Sequence, residues 1–198
     1  VVMPHCGRKA NSTSGGEVVE RELIRRLPAV GIDPHIIVAP WYGLRWWNSL
    51  FYFAAALTRC VRDHRPSVIR AHSLRYTGLP SIVVARLNGI PVTAHFHHLE
   101  QDSLSWLDRW VLRRADQVIT DSRFSARQAV GIPARVVRLG VDHRRFVPTP
   151  LPSGRIVLLV GGSKPRKNTV FVRALWPEVL QRVPDAVLIE VGEGCPVS

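Results

Sequence analysis

The sequence predicts an α/β fold: a parallel sheet with helices on both faces, followed by the opening strand–helix–strand unit of a second sheet. Two observations carry this. Short β-branched runs alternate with longer stretches of helical spacing along the whole chain, which implies βαβ units and ligands at the carboxyl ends of parallel strands. A segment rich in proline, Val147–Gly154, then interrupts the alternation and reads as a linker. The expected division is a first domain over residues 1–148, then linker and second-domain start over residues 149–198.

The elements follow in order. Val1-Val2-Met3-Pro4 reads as a strand already under way, so the chain is expected to begin inside a longer sequence. Ser14, with Glu17 three residues on, has the pattern of a capping box. It opens a helix over Glu17–Leu27 whose apolar stripe is Val19, Leu23 and Leu27. Strands are predicted at His35–Ala39, Val68–Ala71, Val92–His95, Gln117–Thr120 and Arg135–Arg138. The helices between them are Asn48–His64, Gly78–Leu87, Ser103–Arg114 and Arg123–Val130. Beyond the linker, strand Ile156–Val160, helix Thr169–Val183 and strand Ala186–Val191 form one unit. One such unit cannot bury both faces of its sheet, so the second domain reads as unfinished at Ser198.

Composition narrows the function. With 198 residues and 46% hydrophobic residues, the chain can bury a large core and is not disordered. Its longest apolar run, around Leu50–Leu57, is far too short to cross a bilayer. Cys6, Cys60 and Cys195 have neither metal-ligand nor disulfide-framework spacing, which points to a reduced, cytoplasmic compartment. The net charge is +12, yet Lys9, Lys164 and Lys167 are the only lysines among 27 basic residues, and the arginines are dispersed. No nucleic-acid-binding pattern accompanies them, so the excess is read as a compositional bias to arginine plus some attraction to anionic partners, an anionic membrane surface among them, and not as a nucleic-acid footprint.

Four segments could carry chemistry. Ser14-Gly15-Gly16-Glu17 precedes a helix, where glycines admit close approach and free N–H groups favour an anion; an ordinary capped helix fits equally well. Gly161-Gly162-Ser163-Lys164-Pro165-Arg166-Lys167-Asn168 places adjacent cations against a helix dipole, which makes sense if phosphate neutralises them and Asn168 caps the helix. His72 closes one strand, while His95, His97 and His98 close the next. They form either a metal cluster of His72, His95 and His97 serving a hydrolase, or a cleft with one functional histidine, which is the favoured reading. Trp41 to Phe53 mixes aromatics with arginine, as a membrane-facing or acceptor-binding helix would, and as a helix packed on the sheet would too.

Taken together, these segments resemble family-4 glycosyltransferases of the GT-B fold. Ser14-Gly15-Gly16-Glu17 is similar to the family's glycine entry. Ala71-His72-Ser73 and Gly89-Ile90-Pro91-Val92 resemble its next two strands, and Ala115-Asp116-Gln117-Val118-Ile119-Thr120-Asp121-Ser122 a further segment. Gly140-Val141-Asp142 with Phe146 and Pro148 resembles the stretch closing the first domain. Pro165-Arg166-Lys167-Asn168, Pro184-Asp185-Ala186 and Val191-Gly192-Glu193-Gly194 resemble the opening of the donor domain.

The resemblance implies a Rossmann-like, acceptor-side N-terminal domain and the truncated start of a donor-binding domain. It implies retaining transfer of a sugar from a nucleoside-diphosphate donor to a glycan or lipid-linked acceptor, without metal or other cofactor. Gly15 and Gly16 would approach the diphosphate, His97 would lie beside the transferred sugar, and Arg166 and Lys167 would contact the phosphates. His72 and Tyr76 are the candidates for the acceptor side. Gly162 stands where the family has an arginine, and Leu139 where it has an asparagine. The family's paired glutamates would lie beyond Ser198, so these residues alone are expected to be inactive. A nucleotide-binding Rossmann-like domain without catalysis is the remaining alternative.

Overall fold

The structure, a computed structural model, describes residues 1–5, 15–39, 46–96, 104–150, 153–161 and 167–192. It divides into two compact units, Val1–Gly140 and Val141–Ser198.

The first unit is a Rossmann-like parallel sheet. Strands β1 (Val2–His5), β2 (His35–Val38), β3 (Ile69–Ala71), β4 (Val92–Phe96), β5 (Gln117–Thr120) and β6 (Arg135–Val136) lie in the order β2-β1-β3-β4-β5-β6. Every pairing is parallel. The helices are α1 (Gly15–Arg26), α2 (Trp46–His64), α3 (Leu79–Asn88), α4 (Trp106–Arg114) and α5 (Arg123–Gln128). Val2, Ile69 and Val92 align in register, and these β-branched residues make one continuous apolar face. Phe53 and Leu57 of α2, Ile82 of α3 and Val111 and Leu112 of α4 close over that face.

The opposite face is polar. Arg70, Thr93 and Gln117 share one register row, and His95 follows two residues after Thr93 on the same side of β4. Here lies α1, and its stripe of Val19, Leu23 and Leu27, expected to be buried, is only half-buried. The cause is the surface it meets, which offers a guanidinium and an imidazole where the other face offers aliphatic side chains.

Local chemistry sets the element ends. Gly89 adopts φ 66 and closes α3 by donating its N–H to the Ala85 carbonyl. Ser105 and Asp108 form a reciprocal capping box, which starts α4 at Trp106 and not at Ser103. Asp116 accepts from the Val92 amide at 2.8 Å, and its own N–H donates to the Val92 carbonyl, locking the starts of β4 and β5 together. Ser122 caps α5 by accepting from Ser125 N–H at 3.0 Å.

A π-helical turn, Leu74–Gly78, follows β3 where sequence spacing gave no element. The Thr77 hydroxyl donates to the Ser73 carbonyl at 2.9 Å and accepts from the Ser73 amide at 3.0 Å. Gly78 permits close contact with α4, because a Cβ there would lie 2.7 Å from Val111 Cγ1.

In the second unit, β7 (Arg155–Val160) and β8 (Ala186–Val191) pair in parallel, joined by α6 (Thr169–Arg182). Arg173 of α6 donates from Nε to Glu190 of β8 at 2.8 Å. Every residue of β7 except Leu159 is exposed, and Pro177 interrupts the hydrogen-bond ladder of α6. Asn168, expected as a side-chain cap, is instead left-handed at φ 50 and makes no capping bond. Asparagine tolerates that conformation, which turns the chain into the helix by backbone geometry alone.

Candidate functional site

The strand order reverses around β1, whose neighbours are β2 on one side and β3 on the other. Chain connections leave in opposite directions there, which opens a crevice outside the carboxyl ends of β1 and β3. Three elements reach it: the N-terminus of α1 at Gly15-Gly16, the residues His72 and Ser73 after β3, and the end of β4 at Phe96. A Cβ placed on Gly16 would lie 3.9 Å from His72 Nε2, so the glycine turn and this histidine are immediate neighbours.

Behind them a buried polar network ties four elements together. Glu20, one turn after Gly16 on α1, is 2% exposed. One of its oxygens accepts from Arg70 Nη1 of β3 at 2.8 Å, and the other lies 3.0 Å from His72 Nδ1. Burial alone would raise the Glu20 pKa, but hydrogen bonding and charge from His72 and Arg70 outweigh it and hold the carboxyl well below the usual carboxylate range. The second Arg70 amino group meets His95 Nδ1, and His95 Nε2 lies 2.9 Å from Asp121 Oδ1, just beyond β5.

A guanidinium only donates, so His95 Nδ1 accepts and its ring proton is assigned to Nε2, which donates to Asp121. Both ring nitrogens of His95 therefore have protein partners, one of them cationic. This removes His95 from the metal cluster of His72, His95 and His97. Among the described residues, no three His, Cys, Asp or Glu side chains are grouped to hold a metal ion.

The predicted residues fare differently. Gly15 and Gly16 begin α1, and Gly16 and His72 are brought together. Tyr76 lies in the π-helical turn that follows His72 and is half-buried. Lys167 sits at the end of β7, with its stem across Gly161; a Cβ on Gly161 would meet Lys167 Cγ at 2.8 Å. His97, Arg166, Ser14 and Gly162 lie outside the described residues. Sequence reasoning missed Glu20, Arg70 and Asp121. Arg70 had left a signal, an ionised residue inside the apolar run Val68-Ile69-Arg70-Ala71, where a charge requires a partner.

Comparison with known proteins follows the same lines. The model of a family described as Glycosyltransferase Family 4 matches residues 13–145. No curated protein matches the sequence. Among solved structures, the apo form of the lipopolysaccharide outer core galactosyltransferase WaaB has a TM-score of 0.63 at 12% identity, covering 98% of this chain and 69% of that one. The Staphylococcus aureus MnaA–UDP co-structure has a TM-score of 0.55 at 12% identity, covering 96% and 60%. Acinetobacter baumannii MurG has a TM-score of 0.52 at 15% identity, covering 96% and 57%. At these identities the likeness is one of fold. The chain spans 60% of the MnaA chain's length.

Proposed function

The chain belongs to glycosyltransferase family 4, and from that premise we propose that it serves retaining transfer of a sugar from a nucleoside-diphosphate donor to a glycan or lipid-linked acceptor. The observation that carries the reading is the proximity of Gly16 to His72, whose Nε2 would lie 3.9 Å from a Cβ at Gly16, at the point where the strand order reverses. The first turn of an α-helix leaves N–H groups without intrahelical partners, and glycine at positions 15 and 16 puts no side chain between the start of α1 and a diphosphate. Structural neighbours include proteins solved with UDP and with UDP-GlcNAc, which supports a nucleotide-sugar donor.

In this reading His97 lies beside the transferred sugar, and His72 and Tyr76 line the acceptor side. Arg166 and Lys167 supply positive charge to the departing diphosphate, so the step calls on no bound metal. Bond breaking then depends on positioning and on electrostatic stabilisation of the leaving group. Both cations belong to the second unit, Val141–Ser198.

A cytoplasmic location, with peripheral contact at an anionic membrane face, fits the +12 charge and the exposed Phe51 of α2. Among the described residues no helix is long and apolar enough to cross a membrane.

The test is to supply UDP- and GDP-linked sugars with a panel of glycan and lipid-linked acceptors and follow the product by NMR. Transfer with the donor's anomeric configuration retained supports the proposal. An inverted product contradicts the retaining mechanism. Release of an epimerised nucleotide sugar in the absence of acceptor contradicts glycosyl transfer itself.

A further inference from the structure

Helix α4 carries a surface of its own, on the side turned away from the sheet. Leu104, Val111 and Leu112 face the core, which leaves Trp106, Arg109, Trp110 and Arg113 on the opposite side at positions i, i+3, i+4 and i+7. Trp106 is 79% exposed, and Arg113 and Arg114 are exposed. Trp110 packs partly against the core, and the Arg114 guanidinium lies over its ring, 5.5 Å from the centroid. The last turn of α3 adjoins this surface. Arg86 Nη2 donates to the Arg114 carbonyl at 2.8 Å, and its neighbour Leu87 is 81% exposed, with Val83 exposed one turn before.

Local preference does not account for these residues. Arg113 and Arg114 suit the end of a helix, but Arg109 lies in its first half, one turn from Arg113, where like charges repel. The single acid of α4, Asp108, is committed to the capping box with Ser105. Arg25 and Arg26 share Glu22, and Arg62 has Asp63, whereas Arg109, Arg113 and Arg114 make no ion pair among the described residues. Indole, guanidinium and aliphatic groups together, with no acid facing out, complement the headgroup zone of an anionic bilayer. There the indole sits at the polar–apolar boundary, arginine stems lie along it, and the guanidinium groups meet lipid phosphates. A nucleic acid would use the ring and the cations but would gain nothing from Val83 and Leu87.

We infer that the outer face of α4, with the end of α3, docks on an anionic phospholipid surface. This gives a place to the peripheral membrane contact proposed above and rests on that reading. Asp116, just after α4, is clamped to the start of β4, so Trp106 at the far end of the helix lies towards the edge where the strands end and the crevice opens. Docked in this way, the crevice opens beside the lipid.

The test is co-sedimentation of the chain with vesicles of phosphatidylcholine alone and of equal parts phosphatidylcholine and phosphatidylglycerol. The expected result is binding to the mixed vesicles that salt weakens, and little binding to the neutral ones. Each arginine at such a surface contributes roughly fivefold, so Arg109→Gln with Arg113→Gln should weaken binding about twentyfold to thirtyfold. Trp106→Gln should weaken it severalfold, and Phe51→Ser on α2 should change little. With a spin-labelled lipid in the vesicles, the indole N–H resonance of Trp106 in the wild type should broaden before that of Trp176 in α6.

Equal binding to both vesicle types overturns the inference, as does a loss in Phe51→Ser larger than that in the arginine pair. An unbroadened Trp106 resonance overturns it whether or not any variant folds. So does an oligoribonucleotide that binds the wild type more tightly than the mixed vesicles do and depends on the same arginines. Vesicle binding as expected in a chain that binds no UDP supports the surface and overturns the glycosyl-transfer reading, while UDP binding without vesicle binding overturns the surface alone.

Discussion

Replacing Gly16 by alanine separates a functional glycine from a merely structural one, because the two roles predict opposite signs. Gly16 is the second residue of α1 and has no positive φ to protect. The added Cβ meets nothing closer than His72 Nε2 at 3.9 Å, an ordinary van der Waals contact. Alanine is the better helix former, by roughly 0.5–1 kcal/mol in a helix interior and less this near an end. For a unit of this size, folding stability should therefore rise slightly, lifting Tm by about 1–3 °C. The same methyl, however, fills the gap between the turn and His72 in which the diphosphate is proposed to sit. Losing charge-assisted hydrogen bonds to backbone N–H groups costs about 1.5–3 kcal/mol, which weakens donor affinity roughly tenfold to a hundredfold. Calorimetric melting and UDP titration on the same sample read both quantities. A variant with raised Tm and unchanged UDP affinity would refute the reasoning and reduce Gly16 to a helix start.

Three further outcomes are expected. Gly78→Ala should destabilise the first unit by about 1–3 kcal/mol, visible as a lower urea midpoint, since its Cβ would lie 2.7 Å from Val111 Cγ1. The Glu20 carboxyl has a depressed folded pKa, so its contribution is complete above its ordinary value of 4.5 and is lost as pH falls from there towards the folded value. Glu20→Gln should lower stability at neutral pH by about 3 kcal/mol and flatten the acid limb of a Tm–pH profile. Hydrogen exchange should be fast in β7, α6 and β8, where β7 is exposed and α6 contains Pro177, and slow in β1, β3 and β4; equal protection in the two sets would contradict this.

Much of the fold was legible because periodicity and burial agree. Gln117–Thr120 and Ala186–Val191 are strands over the predicted residues, each bounded by a polar turn. The buried pairs Ile69 with Val92 and Ala71 with Ala94 explain why β3 and β4 read as apolar runs. The π-helical turn was not legible, since it combines a local clasp between Ser73 and Thr77 with a close tertiary approach to Val111 that the absence of a side chain at Gly78 allows.

The candidate site was legible in its backbone and not in its side-chain wiring. Gly15-Gly16 before a helix and His72 after a strand announce themselves by position. Glu20 does not: a glutamate on a helix bearing Glu17, Arg21 and Glu22 has the pattern of a solvated face. Only the approach of α1 to a sheet face carrying Arg70 turns it into a buried anion that accepts from Arg70 and lies 3.0 Å from His72 Nδ1. His95 was singled out as one of a histidine group. Its pairing with Asp121 unites residues far apart in the chain and depends on the β4–β5 register, which aligns His95 with Ile119. Asp116, read only as part of a family segment, proves to be a backbone clamp.

The central claim is that a nucleotide-sugar diphosphate binds where Gly15-Gly16 faces His72. Titration of 15N-labelled protein with UDP, following backbone amide shifts, tests it most directly. The account predicts that the amides of Gly15, Gly16, His72 and Ser73 move together and saturate with one affinity. Shifts confined to the exposed surface of α2 or to the second unit, or no saturable shift at all, would contradict it.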